Sequence, residues 1–287
     1  MTENRDIKGI LIPVGGNEDK GDRWNSRLNF LEKGILSHVI HEAKGKESRI
    51  VVIPTASRIP EEVGHNYVKA FNKLGCQQVD ILNIIRRNHS DQKDSLRLVQ
   101  EADCIIFSGG NQSRISTKIA NTTLHQIMKD RFQHEQLVIA GTSAGAMAMA
   151  QEMIAGGSSS EAFQKGAVKM KQGLGFIPEL IIDTHFVRRG RFGRLAEALA
   201  KFPNKLGVGL AEDTGLIIKN CNEFRVIGSG MVIVMDPSGL THNSYDRLKN
   251  GTPMSMSNLT THILANGDRF TLDNREIEVL PISESFV

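Results

Sequence analysis

The sequence contains little of what marks several common classes of protein. Its three cysteines in 287 residues are widely spaced and form no CxxC pair, which argues against a disulfide framework or zinc site and favours free buried thiols in a reducing cytoplasm. No apolar run is long enough to cross a bilayer. No basic leader precedes an apolar run near the start, so we expect no secretory signal. The formal net charge of +3 argues against a dedicated nucleic-acid-binding protein, which would carry a concentrated basic stripe.

Apolar, strand-like runs alternate with helix-like stretches over the first two-thirds of the chain. Residues 49–57 (RIVVIPTAS) and 104–110 (CIIFSGG) are typical of these runs. Near-continuous apolar strands separated by helices indicate an α/β fold with a mostly parallel sheet and helices on both faces. In residues 205–287, short strands joined by turns predict an antiparallel extension of the same sheet, within one domain spanning 1–287. We interpret the polar, turn-rich segment 239–258 as a surface loop.

One serine lies among small residues in the stretch GTSAGA (141–146), between a predicted strand and a predicted helix. Two interpretations compete for it. Ser143 either caps the N-terminus of the helix or stands on a nucleophile elbow, the sharp turn encoded by G-x-S-x-G. The glycines at positions 141 and 145 suit the elbow, because side chains would clash there, and the helix would direct its positive end at developing negative charge. The strand before and the helix after favour a nucleophile.

A serine nucleophile needs a base, and the base needs an orienting partner. His185 follows the apolar run FIPELIID and therefore lies at a strand's carboxyl end, where open parallel sheets bind ligands. In LAEDTG (210–215), either Glu212 or Asp213 could orient the imidazole, and a surface carboxylate is the alternative for both. We interpret the other histidines as solvated surface residues, namely His38, His41, His65, His89, His125, His134, His242 and His262.

Four arginines follow His185 within the stretch VRRGRFGRL (187–195). A solvated helix face would explain such a cluster in an average protein. Here the cluster comes directly after the candidate base and contains two glycines, which suit a backbone shaped around a ligand. We therefore expect an anionic substrate.

These segments together resemble the cyanophycinase branch of the peptidase E-like serine hydrolases, and the resemblance covers most of residues 9–235. The order and spacing of the motifs are more specific than any one motif. The matching stretches are PVGGNEDK, VIPTAS, FSGGNQSR, GTSAGAMAM, IIDTHF, RRGRFGRL and GVGLAEDT.

The resemblance implies a fold like that of class I glutamine amidotransferases (flavodoxin-like), a homodimer, and no metal or organic cofactor. It implies that Ser143 is the nucleophile, His185 the general base and Glu212 its orienting acid. The chain order Ser…His…Glu differs from the Ser…Asp…His order of α/β-hydrolases. The resemblance also implies an oxyanion hole and a substrate pocket. The oxyanion hole would use Gly110 and Ala144, and the pocket Gln112, Asp183, Thr184, Arg189, Arg191 and Arg194.

The family resemblance predicts a serine-type hydrolase that degrades cyanophycin to β-Asp-Arg dipeptides. Thr184 departs from the family pattern, which has glutamine at this position, so at least one substrate hydrogen bond is lost or replaced. The alternatives are an Asp-specific dipeptidase of the peptidase E type, which the dense arginine cluster disfavours, and a non-catalytic binding protein on the same fold. The latter is disfavoured because all three residue types of the triad are present.

Overall fold

A computed structural model describes residues 6–22, 28–157 and 162–280. Its helices are α1 (Phe30–Lys33), α2 (Ile35–Glu42), α3 (Pro60–Lys73), α4 (Lys93–Glu101), α5 (Gln112–Ile119), α6 (Thr123–His134), α7 (Ala144–Ala148) and α8 (Phe192–Lys201). The strands of the first two-thirds are β1 (Ile10–Val14), β2 (Ile50–Ile53), β3 (Val79–Ile81), β4 (Cys104–Phe107), β5 (Val138–Thr142), β6 (Glu152–Gly156), β7 (Lys169–Gln172) and β8 (Leu180–Asp183). The remaining strands are β9 (Leu206–Leu210), β10 (Thr214–Lys219), β11 (Glu223–Gly228), β12 (Val232–Asp236), β13 (His242–Asn243), β14 (Met256–Ser257), β15 (Thr260–Leu264), β16 (Arg269–Thr271) and β17 (Ile277–Glu278).

The central sheet has the strand order β17-β16-β11-β10-β1-β5-β4-β2-β3. The five strands from β1 to β3 in this order are parallel. Most of them are buried along their whole length, because helices cover both faces of the sheet. Alternate residues of one strand therefore belong to different cores: Ile105 packs on one face and Ile106 on the other. The predicted mixed α/β class is confirmed.

The last third of the chain contributes to two sheets and does not merely extend one. Strands β10, β11, β16 and β17 continue the central sheet in antiparallel fashion. Strand β12 instead pairs with β9 and β15, in a second sheet of order β15-β12-β9-β8. The expectation of a single extended sheet was therefore wrong. A short apolar run does not specify its pairing partner, which tertiary contacts decide.

The segment 239–258 has more secondary structure than a plain surface loop. Strands β13 and β14 lie within it and pair in antiparallel fashion. The Asn243 side chain donates a hydrogen bond to the Ala200 carbonyl, 2.8 Å away, which ties this hairpin to the end of α8.

Two expectations about titratable residues have clear outcomes. The thiols of Cys76, Cys104 and Cys221 are buried, as predicted. His125, predicted to be solvated, is buried on α6, where its Nε2 lies 2.8 Å from the Leu174 carbonyl. Burial lowers the pKa of His125. Among the described residues, every helix is too short or too polar to span a membrane.

Candidate active site

Ser143 stands on a strained turn between β5 and α7. Its backbone has φ 51° and ψ −109°, a region that side-chain-bearing residues seldom adopt. A Cβ on Gly145 would lie 2.4 Å from the Phe107 carbonyl oxygen, so only glycine fits this position. The Ser143 side chain makes no capping hydrogen bond to the helix. The N-cap interpretation is therefore wrong, and the turn has the geometry of a nucleophile elbow.

His185 and Glu212 meet Ser143 from two other strand ends. His185 comes two residues after β8 and Glu212 two residues after β9. The His185 Nε2 atom lies 3.0 Å from Ser143 Oγ, and its Nδ1 atom lies 2.7 Å from Glu212 Oε1. Both distances are within hydrogen-bonding range. The structure thus brings together a hydroxyl, an imidazole and a carboxylate from three distant stretches of the chain.

The choice between the two neighbouring carboxylates is resolved by their contacts. Glu212 faces the imidazole, whereas Asp213 turns away at a positive φ of 51°. The Asp213 carboxylate accepts hydrogen bonds from the Asp19 N–H and from the Ser229 hydroxyl. Asp213 therefore connects the loops that carry Asp19 and Ser229, and its carboxylate bonds to them and not to His185.

The surroundings favour a neutral His185 and an ionised Glu212. Burial lowers the pKa of His185, assisted by Arg189 and Arg191, although the Glu212 carboxylate opposes this shift. Partial burial favours the protonated form of Glu212, but hydrogen bonds from His185, Arg188 and Asn17 outweigh it and lower its pKa to about 2. A neutral imidazole held by an ionised carboxylate can accept a proton from Ser143.

Two contacts to Glu212 escaped the sequence analysis. Arg188, whose side chain is 70% exposed, donates to Glu212 Oε2 at 2.9 Å. The Asn17 side-chain amide donates to the same oxygen at 3.1 Å. Arg188 was visible only as a member of the arginine cluster, and Asn17 only as part of PVGGNEDK.

The two residues expected to form an oxyanion hole lie on the loop after β4 and at the start of α7. Ala144 follows Ser143 as the first residue of α7, where helix N–H groups have no intrahelical partner. Gly110 has φ 141°, and a Cβ there would lie 2.2 Å from the Ala56 carbonyl oxygen. Its neighbour Gly109 faces Ser143, since a Cβ on Gly109 would lie 3.5 Å from Ser143 Cβ.

The residues expected to bind substrate divide into an interior group and an outer group. Asp183 and Thr184 are fully buried and Arg194 is 5% exposed. Arg194 Nε donates to Asp183 Oδ2 at 2.6 Å, and its Nη2 to Oδ1. Arg191 bridges Asp183 and the Thr184 carbonyl, at 3.2 and 2.6 Å. Asp183 and Thr184 immediately precede His185 in the chain, whereas Arg191 and Arg194 follow it at the start of α8.

The outer residues have different partners. The Gln112 amide donates to the Ile154 carbonyl at 2.7 Å and is partly buried. Arg189 is exposed. Thr184, which belongs to the interior group, donates its hydroxyl to Met147 Sδ at 3.4 Å. Among the described residues, no group of three or more His, Cys, Asp or Glu side chains is arranged to hold a metal ion.

The chain belongs to peptidase family S51, whose model matches residues 28–226, and it is a serine peptidase. Within this class it is similar to the cyanophycinase of Trichormus variabilis (36% identity, covering 94% of this chain and 88% of that protein). It is also similar to the cyanophycinase of Geminocystis herdmanii (35% identity, 92% and 94%). A crystal structure of a peptidase from an acI-B1 Actinobacterium shares the fold, with a TM-score of 0.64 and 21% identity over 93% of this chain and 98% of that one.

Proposed function

We propose that this protein hydrolyses cyanophycin to β-Asp-Arg dipeptides through an acyl-enzyme intermediate. The observation that carries the proposal is the Ser143–His185–Glu212 hydrogen-bonded series, with an imidazole whose pKa burial lowers. The similarity to curated cyanophycinases over nearly the whole chain supports the substrate.

In the first half of the reaction, Ser143 Oγ attacks the backbone carbonyl carbon of an aspartyl residue, while His185 Nε2 takes the hydroxyl proton. The carbonyl oxygen becomes an oxyanion, held by the N–H groups of Gly110 and Ala144. Each such donor contributes about 2.7–4 kcal/mol to the transition state. The C–N bond then breaks as His185 returns its proton to the leaving amine, and Glu212 stabilises the transient imidazolium throughout.

In the second half, water attacks the acyl carbon and His185 again moves the proton. The C–O bond to Ser143 breaks, which releases the carboxylic acid product and restores the hydroxyl. Every step uses groups of this chain and water, so the reaction needs no cofactor.

Substrate recognition is proposed to use the arginines after His185. Every repeat of cyanophycin carries a free arginine carboxylate, which guanidinium groups can bind in bidentate fashion. Arg189 is exposed and can reach solvent-borne carboxylates directly. For Asp183, Thr184 and Arg194, which are buried, we propose an indirect role: they shape the wall from which Arg191 and Gln112 face the substrate.

The test is the incubation of purified wild-type and Ser143→Ala protein with insoluble cyanophycin and, separately, with Asp-X dipeptides. The wild type should clear the polymer, and the variant should keep its melting temperature but lose roughly 10⁴-fold or more in kcat. Cleavage of dipeptides alone would favour an Asp-specific dipeptidase. A Ser143→Ala variant with near-wild-type activity would refute the assignment of the nucleophile.

The same proposal includes two properties implied by the family resemblance, namely a class I glutamine amidotransferase-like fold and a homodimer. It also includes a cytoplasmic location, which the three widely spaced cysteines favour. We propose the dimer as the working assembly, and sedimentation of the purified protein tests it. Recovery of a monomer at micromolar concentration would contradict it.

A further inference from the structure

Besides the Asn17 bond to Glu212, the motif PVGGNEDK contacts the loops that carry Ser143, His185 and Glu212 through its backbone. Three successive carbonyls accept hydrogen bonds from three distant segments. The Val14 carbonyl accepts from the Ser143 N–H at 2.9 Å, and the Gly15 carbonyl from the His185 N–H at 2.8 Å. The Gly16 carbonyl accepts from the Asp213 N–H at 2.9 Å, next to Glu212. The end of β1 therefore holds the backbones of the three loops side by side.

Glu18 continues this contact with a side chain that is only 4% exposed. Its Oε2 atom accepts a hydrogen bond from Thr142 Oγ1 at 2.5 Å. Its Oε1 atom accepts from Lys20 Nζ at 2.6 Å and from the Tyr67 hydroxyl. Lys20 Nζ also lies 4.7 Å from the centre of the Tyr67 ring. Three donors thus converge on one buried carboxylate.

The contacts of this carboxylate favour its ionised form. Burial favours its neutral form, but Lys20 and the hydrogen bonds from Thr142 and Tyr67 outweigh burial and lower the pKa of Glu18. A buried charge costs free energy unless it is paired and hydrogen-bonded. Glu18 meets both conditions, so its charge gives direction and strength to the bonds it accepts.

The bond to Thr142 connects this network to the nucleophile. Thr142 is the last residue of β5, and Ser143 follows it in the strained conformation already described. A strained backbone conformation persists only where several surrounding contacts hold it in place. The Ser143 N–H is held by Val14, and the preceding residue is held by Glu18.

We propose that Glu18 is a positioning residue for Ser143, acting through the Thr142 hydroxyl to hold the elbow in the orientation that places Oγ against His185. This inference rests on the proposed role of Ser143 as nucleophile. Glu18 itself touches neither substrate nor the reacting atoms.

Two substitutions separate positioning from general stability, because each removes one donor from the same carboxylate. Thr142→Val is nearly isosteric and cuts the link to the elbow. Tyr67→Phe is the matched control. It removes the hydroxyl donor on α3 and leaves the hydrogen bond between Thr142 and Glu18 intact. Glu18→Gln keeps the size of the side chain and removes its charge.

The experiment measures the rate at which a fluorophosphonate labels Ser143, read by mass spectrometry, together with kcat and KM for cyanophycin and the melting temperature. Thr142→Val and Glu18→Gln should slow labelling and kcat roughly 10–100-fold, since small misplacements of reacting groups cost this much. KM should change little. Tyr67→Phe should lower the melting temperature and label at the wild-type rate.

The double variant Glu18→Gln/Thr142→Val should label no more slowly than the slower single variant, because both act through one bond. The inference would be overturned if the Thr142→Val variant were labelled at the wild-type rate. It would also be overturned if Tyr67→Phe slowed labelling as much as Thr142→Val does. If Glu18→Gln fails to fold, the comparison of labelling rates between Thr142→Val and Tyr67→Phe tests the inference by itself. Failure of the wild type to label would overturn the proposed function and this inference together.

Discussion

The Asp183→Asn substitution tests whether the residues before His185 support the fold or contact the substrate. Asp183 is completely buried, and Arg194, at 5% exposure, binds it through two nitrogens. Arg191 and the Thr184 N–H also donate to this carboxylate. Asparagine has the same size but no charge, and it presents an N–H₂ group to neighbours that are all donors. The change therefore leaves a buried guanidinium without its counter-ion.

The expected magnitude follows from this geometry. Removing one partner of a buried ion pair costs about 3–5 kcal/mol of folding free energy, because the remaining charge is uncompensated. For a domain of this size each kcal/mol lowers the melting temperature by about 2–4 °C, so we expect a drop of roughly 6–20 °C. Arg194→Met should cost a similar amount, and the double variant Asp183→Asn/Arg194→Met should cost less than the sum of the two.

The assay is urea denaturation followed by circular dichroism, with KM for cyanophycin measured on the same preparations. Arg189→Ala is the control, because Arg189 is exposed and its removal should leave the free energy of unfolding nearly unchanged. Asp183→Asn with wild-type stability and a raised KM would refute the structural role. That result would restore the direct substrate contact implied by the family resemblance.

Two further predictions concern His185. Because burial, with Arg189 and Arg191, lowers its pKa from 6.5, kcat/KM should rise with pH along an acid limb centred below 6.5, as the base loses its proton. Arg189→Ala removes a lowering influence and should move this limb to higher pH; a wild-type limb above 6.5 would contradict the reasoning. Gly16→Ala should reduce kcat roughly 100-fold or more, since its Cβ would lie 2.5 Å from His185 Nε2 at a φ of 101°. Gly45→Ala is the matched control, because Gly45 also has a positive φ (61°) but a Cβ there would have nothing within 4 Å. Equal losses of kcat in both variants would show that backbone strain alone is responsible.

Local features of the fold could be read directly from the residues. The β-branched and apolar run at Ile50–Ile53 and the run at Cys104–Phe107 became buried parallel strands, because only a strand covered on both faces suits such composition. The turn at Ser143 was also predictable, since Gly141 and Gly145 leave space that no other residue permits. The strands and the turn follow from hydropathy and from steric contacts between residues that are close together in the sequence.

Long-range partners had to come from the tertiary structure. The residues alone left Glu212 and Asp213 open, and only the family resemblance pointed to Glu212, because neighbouring carboxylates differ only in the direction that the backbone gives them. The sequence placed Arg194 and Arg189 in one cluster, yet one lies buried on Asp183 and the other is exposed. It also placed β12 in the wrong sheet.

Composition and local pattern thus determined the class of fold, the elbow and the residue types around it. The three-dimensional arrangement decided which carboxylate faces His185, which arginine is buried, and how Val14, Gly15 and Gly16 hold the three loops together. The physical reason is that main-chain hydrogen bonds and buried charge pairs join residues far apart in the chain, and their choice of partner depends on packing that no single segment encodes.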